Sequence, residues 1–186
     1  IIGAGMFTVS PPGSDGTASD AKFYTRSGEL TIDKNGYLKT GDGAFVLGTA
    51  PGSVVGSDSP RIAMQIPFSD DGSSLTGLEI TAGGKISATY GSDIVDKGSL
   101  TIATFANQGG LKNVGSSRFS ETTYSGSPAF GVAGQTGYGT LQAGALEGSN
   151  VDITQEMTVM IRAQQQFSGS ARVLQANSDM VEKLTR

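Results

Sequence analysis

The residues of this chain that could do chemistry are oxygen ligands, glycines and one pair of glutamates. Asp33, Asn35 and Gly36 form an Asp-x-Asn-Gly run, and Asp70-Asp71-Gly72 a second acidic run. Both are pieces of the pattern in which side-chain and backbone oxygens converge, six or more together, on calcium. Neither supplies a full ligand set, and turn formation accounts for Asp-Asn-Gly clusters without a metal. Ile1-Ile2-Gly3-Ala4-Gly5 leads an apolar start into Gly-x-Gly as a dinucleotide fold does. The third glycine position is Thr8, however, and Val9-Ser10-Pro11-Pro12-Gly13 follows where a phosphate-binding helix would have to open. Glu147 and Glu156 could be drawn as an acid/base pair, but beside a helix start Glu147 and Asp152 read as residues favoured by the helix dipole and Glu156 as an exposed helix position.

The chain contains no His, no Cys and no Trp. That removes thiol nucleophiles, disulfides, His-based triads and the usual zinc ligand sets. A catalyst built from the remainder needs paired carboxylates, a Ser–Lys dyad or an oxygen-ligated metal, and a Trp-free set of aromatics is poorly equipped to stack on sugars. The expectation is no enzyme, with no catalytic residue, no cofactor, no metal and no small-molecule substrate. With 13 basic and 17 acidic residues the net charge is −4, the opposite of the footprint that holds a phosphate backbone, so nucleic acid is not an expected partner.

The elements that would carry any site come next. In 186 residues there are 28 glycines, 37% hydrophobic and 16% charged residues, a composition that points to a loop-rich β structure, and no apolar run is long enough to span a membrane. Strand-like segments lie at Met6-Phe7-Thr8-Val9, Phe23-Tyr24-Thr25-Arg26 and Glu29-Leu30-Thr31-Ile32. Asp33-Lys34-Asn35-Gly36 then supplies an Asn-Gly turn into Tyr37-Leu38-Lys39-Thr40, and Asp42-Gly43 turns the chain again into Ala44-Phe45-Val46-Leu47, which predicts three consecutive antiparallel strands. Ile62, Met64 and Ile66, and later Ile86, Ala88 and Tyr90, alternate with polar or small residues as in sheets with one buried face, and residues 100–105 read as the last strand. Residues 125–144 are rich in Gly and small residues, with little to pack, and read as a connector. The expected organisation is a β-rich domain over 1–124, a Gly-rich connector over 125–150 and an assembly helix over 151–186. The fold class is mainly β: an antiparallel domain followed by a long C-terminal α-helix of coiled-coil type. The abrupt start at Ile1, without Met or a signal peptide, reads as a fragment or processed product.

The helix is predicted from about Asp152 to Thr185, in a stretch with one Gly and no Pro, with Ser149 or Asn150 as cap and Asp152 in a capping-box position. Ile153, Met157, Met160, Phe167, Ala171, Leu174 and Val181 fall on a strict 4-3 spacing with Gln164 and Ser178 as polar members, the pattern of a coiled-coil seam. No other segment shows sustained helical periodicity. The seam therefore calls for a partner, either more of its own chain or other subunits, and these residues are the expected assembly interface.

The same residues resemble a family, the axial proteins of the bacterial flagellum that form its rod and hook. Met6-Phe7-Thr8-Val9 is similar to that family's Phe-Phe-x-Val strand. Tyr24-Thr25-Arg26-Ser27-Gly28-Glu29-Leu30, with Asp33, Gly36, Leu38, Asp42-Gly43 and Val46-Leu47-Gly48, resembles its Tyr-Thr-Arg-x-Gly hairpin. Ala103-Thr104-Phe105-Ala106-Asn107 with Gly110-Leu111 is similar to its Phe-x-Asn-Pro-x-Gly-Leu segment, with Gln108 at the usual Pro. The closest likeness runs from Gly139-Thr140-Leu141-Gln142-Ala143-Gly144-Ala145-Leu146-Glu147-Gly148-Ser149-Asn150-Val151 through Glu156-Met157, Met160-Ile161 and Ala163-Gln164. Departures are Gln165 and Phe167, where Arg and Tyr are common, and Ser168-Gly169-Ser170 in place of better helix formers.

The length suits the distal rod subunit or a hook subunit without a large inserted domain, and Gly-Ala-Leu-Glu-x-Ser-Asn-Val-Asp is hook-like. The resemblance implies a structural subunit of the rod or hook that self-assembles as a homo-oligomer into a helical tube. Such a tube would contact adjacent rod and hook proteins and transmit torque for motility. It also implies an N-terminal helical segment ahead of the first strand, and export through the flagellar channel to the basal body or hook, outside the cytoplasm. The alternatives are a secreted β-rich binding or adhesive module, to be marked by concentrated exposed aromatics, and a carboxylate-based hydrolase, to be marked by a deep acidic cleft.

Overall fold

A computed structural model describes every residue except 14–16, 54–55, 57–59, 71, 147, 149, 185 and 186. The chain divides into two compact units, Ile1–Glu147 and Gly148–Arg186.

The first unit is an antiparallel β structure assembled around β1 (Met6–Ser10), whose residues are all buried. Alternate side chains of β1 feed two clusters on opposite faces. Phe7 and Val9 enter the large core with Leu38, Val46, Ile66, Ile86, Leu100 and Ile102, while Met6 joins Tyr24, Ala103 and Phe105. Both faces of β1 are covered, so its polar Thr8 and Ser10 are buried along with Met6, Phe7 and Val9. β1 pairs with β2 (Phe23–Thr25) through Thr8↔Tyr24. The expected three-strand meander is present as β3 (Leu30–Ile32), β4 (Leu38–Thr40) and β5 (Phe45–Thr49), with Leu30↔Thr40 and Lys39↔Phe45 in register. β5 is buried throughout and also pairs with β1.

β6 is shorter than the alternation predicts. It covers Ile62–Ala63, with Met64 and Ile66 buried but Ile62 46% exposed. Only Ala63 and Ile62 pair with β5, at Leu47 and Gly48. The chain then crosses to the β3–β4 hairpin, where Ile66 N–H donates to Gly36 O at 2.6 Å and Leu38 N–H to Met64 O at 2.9 Å. Met64 and Ile66 are carried inward while Ile62 stays at the rim.

β7 (Ser69–Asp70), β8 (Ser73–Ile80), β9 (Lys85–Tyr90) and β10 (Asp93–Thr104) complete one side of the sheet. In β9 the predicted alternation is observed, with Ile86, Ala88 and Tyr90 buried. β10 begins before residue 100; it pairs with β9 from Asp93 to Ser99, through a bulge at Asp96/Gly98, and with β5 at Ser99 and Leu100 and β1 at Ile102 and Ala103.

It is not the last strand. β11 (Lys112–Gly115) and β12 (Arg118–Ser120) extend the sheet beyond β2, and β13 (Ala129–Val132) pairs with Thr101–Thr104 of β10. β13 lies inside the stretch read as a connector with little to pack. Its small residues are there for close approach: a Cβ on Gly131 would sit 2.4 Å from the Tyr138 ring. Phe130 packs on the second cluster beneath the Arg61 guanidinium, 3.3 Å from the ring centroid, and Ala133 and Leu141 are buried in the large core.

The second unit is α1 (Ile153–Leu184), 32 residues, about 48 Å at 1.5 Å per residue. Its cap is Asp152, two to three residues after the expected positions. The Asp152 Oδ1 accepts the Thr154 N–H at 2.8 Å, and the Asp152 carbonyl accepts the Glu156 N–H at 3.1 Å as the first helical bond. Ser149 and Thr185 lie outside the described residues. No described residue of α1 is buried.

A candidate assembly surface on the helix

The oxygen clusters are spent on structure. One Asp33 oxygen accepts the amides of Asn35 and Tyr37, both at 2.9 Å, and the other pairs with Lys39 Nζ at 2.7 Å. Burial raises the Asp33 pKa, but the Lys39 pair and the two amides outweigh it and hold the carboxyl below its ordinary value. Asp70 pairs with Lys97 Nζ at 2.6 Å, and Asp71 lies outside the described residues. Among the described residues no three His, Cys, Asp or Glu come together as a metal group.

The Gly-x-Gly start serves packing. Gly5 has φ +138, and a Cβ there would lie 2.1 Å from Ile102 Cγ2. The segment is stitched down by Ile2 N–H to Thr140 O at 2.8 Å, and by Arg26, whose guanidinium donates to the Gly3 carbonyl at 3.0 Å and the Ile1 carbonyl at 3.2 Å. Of the glutamate pair, Glu156 is an exposed helix residue and Glu147 is outside the described residues. An indentation of about 200 Å³ in the first unit is lined by Ile1, Phe7, Leu30, Ile80, Leu100 and Leu141, among others, with no titratable side chain at its wall.

The large apolar side chains left in solvent lie predominantly on α1. Ile153, Met157, Met160, Phe167, Leu174 and Val181 are exposed, from 55% at Val181 to 79% at Phe167, and Ala171 is exposed with them. All of these predicted residues lie on one helix whose regularity preserves their spacing. Burying such a line would contribute about 1.5–3 kcal/mol per large residue, and a contiguous apolar stripe marks an interaction site where singly scattered residues do not. Exposed apolar residues are not confined to it: Val159, Ile161, Val173, Met180 and Leu184 are also exposed, from 53% to 80%. A 4-3 count begun at Ile153 does not reach these residues.

Comparison with known proteins gives the setting of this surface. Residues 1–88 match the family described as flagellar hook protein FlgE/F/G D1 domain, and residues 142–186 match flagellar basal body rod FlgEFG protein C-terminal. The flagellar basal-body rod protein FlgG of Agrobacterium fabrum is 34% identical over all of this chain, and that of Bacillus subtilis 35% identical over 99% of it. The chain spans 62% of the length of each. The flagellar hook protein FlgE of Caulobacter vibrioides is 35% identical over 59% of the chain and 19% of its own length. The chain belongs to the family of flagellar rod and hook proteins.

Proposed function

We propose that this member of the rod and hook family is a structural subunit of the flagellar axis, outside the cytoplasm, and that α1 is the element through which copies assemble. The observation that carries the reading is a 32-residue helix with a 4-3 apolar line and no buried residue. A helix of this kind is marginal alone in water and gains stability by burying its apolar face against another. The β unit has its own core and would form the outer layer of a helical tube, whose terminal helices act as inner staves and whose repeating contact is heterologous. Neighbouring copies and adjacent rod or hook proteins are the partners, torque transmission the role, and no catalytic step is assigned. Full-chain identity to rod proteins, against 59% coverage by the hook protein, favours the rod. The adhesive alternative gains little from the β unit, where Phe68 and Tyr124 are its markedly exposed aromatics among the described residues.

The test is location. The full-length protein, tagged and expressed in cells lacking the untagged copy, should co-purify with isolated hook–basal bodies and restore motility. Tag found only on the cell surface or in the medium, with motile cells, would refute the reading.

A further inference from the structure

Of the five asparagines in these 186 residues, Asn35 alone is followed by glycine. A glycine carries no side chain beside its amide nitrogen to obstruct the approach of the preceding carboxamide. When hydroxide removes the amide proton, the Gly36 nitrogen can attack Asn35 Cγ. The new N–Cγ bond closes a five-membered imide, the Cγ–Nδ2 bond breaks, and ammonia leaves with a proton taken from water. Water then opens the imide at either carbonyl. One opening gives aspartate at position 35. The other gives isoaspartate, in which the main chain runs through the former side chain and is longer by one methylene.

The fold disarms this pair. Gly36 N–H donates to the Asp33 carbonyl at 2.9 Å and closes a four-residue turn. Gly36 has positive φ and Asn35 does not, so Asn35 holds the third position of a type I turn, with ψ of about 0°. Ring closure brings the Gly36 nitrogen level with the Asn35 Cβ, a rotation of about 120° from that ψ. The neighbours resist it. Asn35 N–H donates to Asp33 Oδ1 at 2.9 Å, the Asn35 carbonyl accepts from Gln65 Nε2 at 3.2 Å, and the Gly36 carbonyl accepts from Ile66 N–H at 2.6 Å. Asn35 is itself exposed to water, so its protection comes from the fixed backbone and not from burial. The same contacts reject the isoaspartate product. Gly36 is buried so closely that a Cβ would sit 2.5 Å from the Ile66 carbonyl oxygen, and an added methylene before it displaces it from that seat.

We propose that Asn35 is a site of spontaneous deamidation in the unfolded chain that folding closes, so that a chain held unfolded is progressively marked with isoaspartate in the turn between β3 and β4. The mark then hinders folding, because the β3–β4 turn is where Gln65 and Ile66 are tied to the hairpin. The site does not depend on the axial role of the chain.

The full-length protein would be incubated at mildly alkaline pH, folded in buffer and unfolded in guanidinium chloride. Peptide mass mapping follows deamidation at each asparagine, and isoaspartyl methyltransferase labels the isoaspartate. In the unfolded protein Asn35 should convert faster than Asn107, Asn113 and Asn177. In the folded protein it should convert at least about tenfold more slowly than in the unfolded one, because reaction then waits on local opening of the turn. After guanidinium is removed, isoaspartate at position 35 should be depleted from the refolded fraction. Asn35→Asp, with the same charge on an unaltered backbone, should refold as the unsubstituted protein does. Equal rates at Asn35 in folded and unfolded protein, or conversion of Asn35 no faster than the other asparagines when unfolded, would overturn the proposed site. Isoaspartate kept at its starting level in the refolded fraction would overturn its effect on folding.

Discussion

Cutting the chain after Leu146 should leave a β unit that melts as the whole chain does. Among the described residues the buried apolar side chains all lie between Met6 and Leu141, and α1 contributes none. Removing α1 therefore takes away no core residue. A change confined to exposed residues is within about 0.5 kcal/mol, which for a domain of this size displaces the melting temperature by about 1–2 °C. The contrasting perturbation is Ile102→Ala. Ile102 is fully buried where β1, β10 and β13 meet, opposite Phe7 and Gly131. Deleting its buried branches should cost about 2–5 kcal/mol, a drop of about 4–20 °C at 2–4 °C per kcal/mol. Calorimetry and near-ultraviolet circular dichroism would follow the β unit, while the 222 nm signal follows the helix, expected to fade broadly and without cooperativity in the unassembled chain. A truncated chain that melts without cooperativity, or more than about 5 °C early, would refute the assignment of the core to the β unit alone.

Other outcomes follow from single sites. Gly36→Ala should destabilise by at least about 1–3 kcal/mol in a denaturant melt, because Gly36 has φ +81 and a Cβ would sit 2.5 Å from the Ile66 carbonyl oxygen. At the β11–β12 turn, Ser116 and Ser117 both hold positive φ, 51° and 55°. Replacing them by Asn-Gly, the pair suited to that turn, should raise stability by about 0.5–1 kcal/mol in the same assay. The pH dependence has two edges. Asp96 is held below its ordinary pKa by the Gly98 amide, with burial opposing and Lys85 assisting, and Asp33 is also held low. Their contribution is thus present above the unfolded carboxyl value of about 3.9 and lost as pH falls below it. Burial, with Glu121 adding and Arg61 opposing, pushes Tyr24 up to about 12. Its contribution is full below about 10 and lost as pH rises toward 12. Melts in the presence of Asp33→Asn with Asp96→Asn, and separately of Tyr24→Phe, should flatten the acid and alkaline edges respectively.

The parts of this molecule that were legible in its sequence are those set by local chemistry. The Asp33–Gly36 turn, the alternation of Ile86, Ala88 and Tyr90, and the helix with its Met157–Leu174 line each follow from residues within a few positions of one another. What escaped was set at a distance. β13 contains Gly131 because Tyr138 crosses it, and Phe130 is held by Arg61, partners that no window around residue 130 contains. Ile62 shares the alternation of Met64 and Ile66 but not their burial, because Met64 and Ile66 are bonded to Leu38 and Gly36 of the neighbouring hairpin while Ile62 lies at the rim. Ser149 and Asn150 are good caps in isolation, yet the helix is capped by Asp152, which stands immediately before the first helical residue and whose carboxylate reaches the Thr154 amide.

The assembly role of α1 is tested most directly by charge at Phe167, which is 79% exposed in the isolated chain. In that chain Phe167→Asp should leave the β melt unchanged within about 0.5 kcal/mol. Between helices an unpaired carboxylate costs several kcal/mol at every copy along the tube. Cells carrying full-length Phe167→Asp should therefore be non-motile and yield no intact hook–basal bodies. Arg172→Gln, off the Met157–Val181 line, should assemble and swim normally. Intact hook–basal bodies containing Phe167→Asp at the unsubstituted level would contradict the assembly role of this helix.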